Sequence, residues 1–327
     1  MDKKLLVSSS PHIRSEITTQ KLMLDVIIAL IPAAIGGIWF FGIRAAILII
    51  TSVVSCVLFE YLARKLMKRS STISDLSAVV TGLLLAMNLP PTLPVWMAIV
   101  GSFFAIVIVK QLFGGLGHNF VNPALAARAM LLASYGSKMT SWIEPVNKIA
   151  VGVASSATPP ADIDSYATPL AAIKGGGKLP ELMDMFLGNI GGSLGETSAM
   201  LLIIGGIYLI LRGVISWHIP VIYCGTVFVL TWVMGPEGLF TGNPVFHLLA
   251  GGLMLGAIYM ATDYTTSPMT KKGMVIYAVG CGILTVLFRL YTNMPEGVSY
   301  AILLMNVAVP LIDRYSKPKR FGGGKNV

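Results

Sequence analysis

Three groups of residues in this chain have the types and spacing to do chemistry. The first is Asp162-Ile163-Asp164-Ser165-Tyr166-Ala167-Thr168-Pro169-Leu170, where two carboxylates and two aliphatic hydroxyls crowd together in the one long polar interruption of an apolar chain, residues 137–195. Irregular backbone of this length belongs in water or against a protein-lined cavity when its surroundings are apolar. A plain surface loop is the alternative. The second group is Gly188-Asn189-Ile190-Gly191-Gly192-Ser193-Leu194-Gly195-Glu196-Thr197-Ser198. Its glycines put bare N–H groups at the start of a helix, which suits an anionic or strongly accepting ligand. No βαβ unit surrounds it, so it is not a Rossmann loop. A flexible entry into a helix, with Glu196 favourable at the N-terminus, is the rival reading. The third group is Asn119-Phe120-Val121-Asn122-Pro123-Ala124-Leu125-Ala126-Ala127-Arg128. Arg128 falls about midway along an apolar run, where a cation is costly unless paired. It therefore snorkels to an interface or faces a cofactor, a carboxylate or an ion path. Asp263 and Glu296, in Pro-flanked turns, are further candidates for ion conduction or cofactor positioning, against the plainer role of interfacial turn residues.

Other chemistry is disfavoured. His12, His118, His218 and His247 form no metal-ligand spacing; His118 has the best claim to function because it precedes the Asn119–Arg128 element. Cys56, Cys224 and Cys281 are isolated within apolar runs, so they read as small buried hydrophobes and not as a disulfide or iron–sulfur framework.

These groups need a scaffold, and the composition says what kind. Of 327 residues, 55% are hydrophobic and 12% charged, against about 25% charged in soluble domains. The chain is an all-α integral membrane protein. Apolar runs are expected at about 22–42, 45–63, 75–88, 95–110, 120–136, 197–213, 219–234, 246–261, 274–292 and 298–313. That makes about ten transmembrane helices, each near the roughly 20 residues that cross a bilayer, and some broken, as at Asn88-Leu89-Pro90-Pro91. Residues 1–21 are too polar to hold the apolar core of a signal peptide.

The net charge of +9 comes from Lys and Arg clustered in short segments beside apolar runs, with no basic stripe interleaved with exposed aromatics. That pattern sets membrane orientation and excludes nucleic acid as a partner. It places residues 1–21 and 314–327 as cytoplasmic tails, and 137–195 outside. Gly82-Leu83-Leu84-Leu85-Ala86 recurs in kind as Gly252-Leu253-Met254-Leu255-Gly256, each followed by a break and two more spans. Five spans per half then make two inverted five-helix repeats within a single polytopic domain, a design that places sites at broken helices. Asp25 and Glu60 lie within or near spans without an evident partner.

The three groups also carry a resemblance. Asp162, Ser165 and Ala167-Thr168-Pro169-Leu170 resemble the D-x-x-S-G-A-T-P-L signature of the family that unites the D subunit of the Rnf complex with the B subunit of the sodium-pumping NADH:quinone reductase; the family's glycine is Tyr166 here. The Asn119–Arg128 segment resembles its G-x-N-x-x-N-P-A-L-x-A-R element. Residues 192–198 resemble G-S-I-G-E-T-S, and residues 262–270 and 294–297 resemble T-D-x-x-T-S-P-M-T and Y-P-E-G. The resemblance runs from Ser8 to Asp313.

It implies FMN joined through a phosphoester to Thr168. Thr158, in Ser156-Ala157-Thr158-Pro159, is the second candidate, but it lacks the upstream aspartate and the following leucine. Ser165, Arg128, Asn119, Asn122, Gly195, Glu196 and Thr197 are the implied flavin contacts, and a second, non-covalent flavin such as riboflavin is compatible with the family. The implied function is that of a flavin-carrying subunit coupling electron transfer between ferredoxin and NAD to Na+ or H+ translocation in the bacterial cytoplasmic membrane. The chain would not be catalytic alone. Its implied partners are Rnf subunits A, B, C, E and G and a maturing flavin transferase. Two rivals stand beside this reading. One is a urea/ammonium-type channel without redox role, which has no need of Thr168 and its signature. The other is the B subunit of the quinone reductase.

Overall fold

The computed structural model describes residues 17–147, 168–175, 179–235, 238–292 and 297–317. Asp162, Ser165, Tyr166, Thr158 and Glu296, and most of both tails, lie outside the described residues.

The first half of the chain opens with two long helices. Helix α1 (Thr19–Phe41) begins where the Thr18 hydroxyl accepts from the Lys21 amide, and Gly42, at φ +72°, turns the chain into α2 (Ile43–Leu66). A glycine suits that turn because a β-carbon is disfavoured at positive φ. Helix α3 (Ser77–Met87) is short and ends at the expected Asn88–Pro94 break. Helix α4 (Val95–Phe103) runs directly into a π-helical segment, Phe104–Gln111. In α5 (Pro123–Ser134) the Asn122 side chain caps the first turn, accepting from the amides of Ala124 at 3.0 Å and Leu125 at 3.3 Å. Pro123 fills the first helical position, where its missing N–H costs nothing. The short α6 (Gly136–Met139) closes this half.

Helices α7 (Pro169–Gly175) and α8 (Leu182–Leu187) lie in the polar interruption. The second half comprises α9 (Ala199–Leu211), α10 (His218–Val233), a two-residue antiparallel pair β1 (Met234–Gly235) and β2 (Gly238–Leu239), α11 (Pro244–Leu249), α12 (Leu253–Leu255) leading into a second π-helical segment (Gly256–Met260), α13 (Lys271–Tyr291) and α14 (Gly297–Tyr315).

Four of these helices, α1, α2, α13 and α14, are each long and apolar enough to cross a membrane. Shorter apolar helices, α3, α4 with its π-helical continuation, α5, α9 and α10, pack among them. This is an all-α membrane protein. Ile35, Trp39, Ile47, Ile50, Val54 and Leu58 are exposed along α1 and α2, as lipid-facing side chains would be. The inward faces carry small residues. A β-carbon on Gly82 would sit 2.7 Å from the α2 backbone at Val53, so glycine lets α3 lie against α2.

The halves meet where α1 packs on α9 and α5 packs on α14. The breaks meet too. The amide of Gly195 donates to the Met87 carbonyl at 2.7 Å and that of Leu194 to the Leu89 carbonyl at 3.1 Å. Irregular backbone deep in the bundle thereby finds protein partners, as an apolar surround demands.

Candidate functional site

The described residues among those singled out from sequence fall into two places, at opposite ends of the bundle. One end is formed by the start of α9, the end of α13 and the start of α14. Thr168 lies there, 6% exposed, and its carbonyl receives the Ala172 amide at 2.9 Å in the first turn of α7. It lines a cleft with Leu170, Ile190, Gly191, Glu196 and Gly251.

The glycines shape this cleft around Glu196. β-Carbons on Gly192 and Gly252 would stand 3.4 Å and 3.0 Å from its carboxylate oxygens. That carboxylate lies 3.4 Å from Nη2 of Arg128, and Nη1 of Arg128 donates to the Ser299 hydroxyl at 2.6 Å. Arg128 is 2% exposed. The mid-span arginine is thus a buried, paired cation and does not snorkel to an interface. Gly195 packs against Met87 and Leu255, and the Thr197 hydroxyl donates to the Leu194 carbonyl at 3.0 Å. These two shape the turn that aims Glu196, while Ser198 caps α9.

The reading from sequence missed Arg289. It is as buried as Arg128, and its guanidinium donates to the carbonyls of His247 and Ala250. The signal that marks Arg128, an ionisable residue inside an apolar run, applies to Arg289 as well. Of the described histidines it is His247, buried beside Arg289, that touches this end; His118 is exposed at the other.

At that other end, the starts of α1, α3 and α5 and the end of α9 enclose a cavity. Its walls include Val26, Val80, Leu84, Leu209 and Tyr259, with Ser77, Lys110, Asn119, Asn122 and Asp263 as polar members. Apolar walls with a few convergent polar groups are the usual make-up of a small-molecule site. The Asn119 amide donates to the Val121 carbonyl at 3.1 Å, and Asn122 reaches the Met260 carbonyl at 3.4 Å besides capping α5. Asp263 sits in the turn after the second π-helical segment, where the hydroxyls of Thr265 and Thr266 reach its carboxylate at 3.1 Å and 3.2 Å. Burial raises its carboxyl above the ordinary range, and hydrogen bonds from Thr265, Thr266 and Asn119 pull it back. Both π-helical segments contribute to this cavity, one through Lys110 and the other through Tyr259. π-Helical turns are frequent at functional sites.

Two of the acids noted in sequence also gain partners. Glu60 and Lys110 form a buried ion pair at 2.7 Å. The Thr72 hydroxyl donates to the other Glu60 oxygen at 2.6 Å, and Lys110 also donates to Ser77 at 2.6 Å. Asp25 receives the Tyr208 hydroxyl at 2.8 Å and lies 3.4 Å from the exposed Arg212.

Comparison with known proteins places this arrangement. Residues 6–322 match the profile described as the NQR2, RnfD, RnfE family. The chain is 50% identical to the D subunit of the Na(+)-translocating ferredoxin:NAD(+) oxidoreductase complex of Acetobacterium woodii, over 97% of this chain and 95% of that one. It is 48% identical to the D subunit of the proton-translocating ferredoxin:NAD(+) oxidoreductase complex of Clostridium ljungdahlii, over 97% and 96%. It is 35% identical to the D subunit of the ion-translocating oxidoreductase complex of an Escherichia coli strain, over 98% and 99%. The likeness thus takes in the Thr168 cleft, the Asn119–Asn122 cavity and the helices between them, and the chain belongs to the NQR2, RnfD, RnfE family.

Proposed function

We propose that this chain is the D subunit of an ion-translocating ferredoxin:NAD oxidoreductase and that Thr168 carries FMN through a phosphoester. The observation that carries the reading is the meeting of Thr168 with Glu196, which pairs with Arg128, and a glycine-lined wall in one cleft. The donor chemistry there fits a phosphate-bearing flavin: two buried guanidinium groups, Arg128 and Arg289, and main chain unshielded at Gly191 and Gly251.

A flavin supplies the one- and two-electron chemistry; the protein supplies position and electrostatics. Thr168 offers the oxygen for attachment, Arg128 and Glu196 fix the charge beside it, and Ser299 holds Arg128 in place. Ser165 is part of the same signature. The cavity at the other end, with Asn119, Asn122 and Asp263, is the place for a second, non-covalent flavin such as riboflavin; its apolar walls and few convergent amides support that assignment.

In this reading the chain crosses the cytoplasmic membrane ten times, as two inverted five-helix repeats, with both termini in the cytoplasm and Thr168 on the outer side. Excess Lys and Arg at the opposite end of the bundle support the orientation. The meeting of the broken α3 with the segment before α9 supports the repeat. The other Rnf subunits, A, B, C, E and G, bring electrons and take them on, a flavin transferase matures the chain, and Na+ or H+ is the ion moved.

The test is the intact mass of the chain made with its flavin transferase, with in-gel flavin fluorescence after denaturation. Wild type and Thr158→Val are expected to carry covalent flavin and Thr168→Val to lack it. Flavin that follows Thr158 would move the site within the same loop. Wild-type chain without any covalent flavin would leave a channel without redox role as the better reading.

A further inference from the structure

Two buried guanidinium groups, those of Arg128 and Arg289, stand near the cleft at Thr168. Arg128 and Arg289 are each 2% exposed, and Glu196 is the buried carboxylate near both. Arg289 has the weaker set of acceptors. Its two terminal nitrogens meet only the neutral carbonyls of His247 and Ala250, and its buried Nε has no hydrogen-bond partner among the described residues. Among the described residues, Arg289 is therefore a buried cation hydrogen-bonded to neutral groups alone. An uncompensated charge in such a place is costly enough that an anion is expected beside it.

The backbone leaves room for that anion on the cleft side. Gly251 lines the cleft with Thr168 and Leu170. A β-carbon at Gly251 would stand 3.3 Å from Nη2 of Arg289 and 2.8 Å from Leu170. With no side chain there, nothing from Gly251 screens the guanidinium from the cleft.

We propose that Arg289 holds the phosphate of the group attached at Thr168. The inference rests on the covalent-flavin reading above and deepens it. A phosphodiester between a threonine oxygen and a ribityl chain is a monoanion at neutral pH, which suits a guanidinium whose described hydrogen-bond partners are neutral. The planar fork of arginine also matches two phosphate oxygens, as a lysine ammonium does not. Arg289 therefore fixes the phosphate, while the Arg128–Glu196 pair is already closed.

The experiment uses the assembled complex matured with its flavin transferase. It compares wild type with Arg289→Gln and Arg289→Lys. Covalent flavin is measured by intact mass, the phosphate environment by phosphorus NMR, and the flavin by its midpoint potential. Arg289→Gln is expected to lose most of the covalent flavin. Arg289→Lys is expected to retain it with a displaced phosphorus resonance and a shifted potential. Lysine and glutamine variants that both keep full occupancy, resonance and potential would overturn the role of Arg289. Wild type without covalent flavin would sink the attachment reading first, and this inference with it.

Discussion

The two ends of the bundle hold buried ions in opposite ways. At the cavity end, Glu60 and Lys110 neutralise each other, and the hydroxyls of Thr72 and Ser77 take up one carboxylate oxygen and one ammonium proton. That network is closed by the chain itself. At the Thr168 end, Arg128 closes on Glu196 and Ser299, but Arg289 rests on neutral carbonyls. A closed network stabilises a shape, whereas an open one is poised for a ligand. Burial alone does not separate the two cases, since all five charged groups are almost inaccessible; the inventory of described partners does.

The comparison breaks most visibly at Lys110. Lys110→Met leaves Glu60 as a buried carboxylate without its cation, a loss of about 3–5 kcal/mol for a broken buried pair. The expected outcome is a sharp fall in thermal stability and in recoverable protein in detergent. Because a closed pair is replaceable, Glu60→Leu combined with Lys110→Met should recover most of that loss. A double variant as unstable as the single one would show that the pair does more than neutralise itself.

Arg128→Leu is expected to remove about 1.5–3 kcal/mol, the range for hydrogen bonds to charged groups. Its larger effect should be on electron transfer and flavin potential, with assembly retained, because Glu196 loses its fixed counter-charge beside the cleft. Unchanged turnover and potential would reduce Arg128 to a packing element and sharpen the contrast with Arg289.

Asn122→Ala tests the cavity end without touching an ion. Loss of a cap costs about 1 kcal/mol. Thermal unfolding should move by an amount of that order, and non-covalently bound flavin, measured after gentle release, should fall. The smallest effect is expected for Arg212→Ala. Its side chain is 59% exposed, so its link to Asp25 is worth less than about 1 kcal/mol and should weaken with added salt.

Much of this architecture is legible in the sequence, and the reason is apolar periodicity against a bilayer. The run expected at 274–292 is the helix Lys271–Tyr291, and the one at 298–313 is Gly297–Tyr315. The break after α3 is legible because consecutive prolines withdraw backbone donors. The run expected at 120–136 becomes helical only from Pro123, after the Asn122 cap.

Long-range partners are not legible. Glu60 and Lys110 are fifty residues apart, and Arg128 reaches Glu196 and Ser299 across much of the chain. No local pattern encodes those distances. The division of the motif residues between two ends is likewise tertiary. Asn119 and Arg128 share one motif, but α5 carries them from one end of the bundle toward the other. Arg289 belongs to no motif; its place inside an apolar run marks it as it marks Arg128, but its neighbours at the cleft come only from the fold.

The π-helical segment Phe104–Gln111 has a consequence in the gene. Each i→i+5 turn holds one residue more than an α-turn, which is what an in-frame codon insertion leaves when packing pins both ends of a helix. The second such segment, Gly256–Met260, stands at the same cavity. Deleting one codon, that of Val107 for example, would let the stretch tighten toward α and swing Lys110 by about 100° around the axis. The lysine would turn away from Glu60 while the helix stayed a helix. A deletion scan along residues 104–111 would therefore report on the ion pair through folding yield, with little change in helical content by circular dichroism.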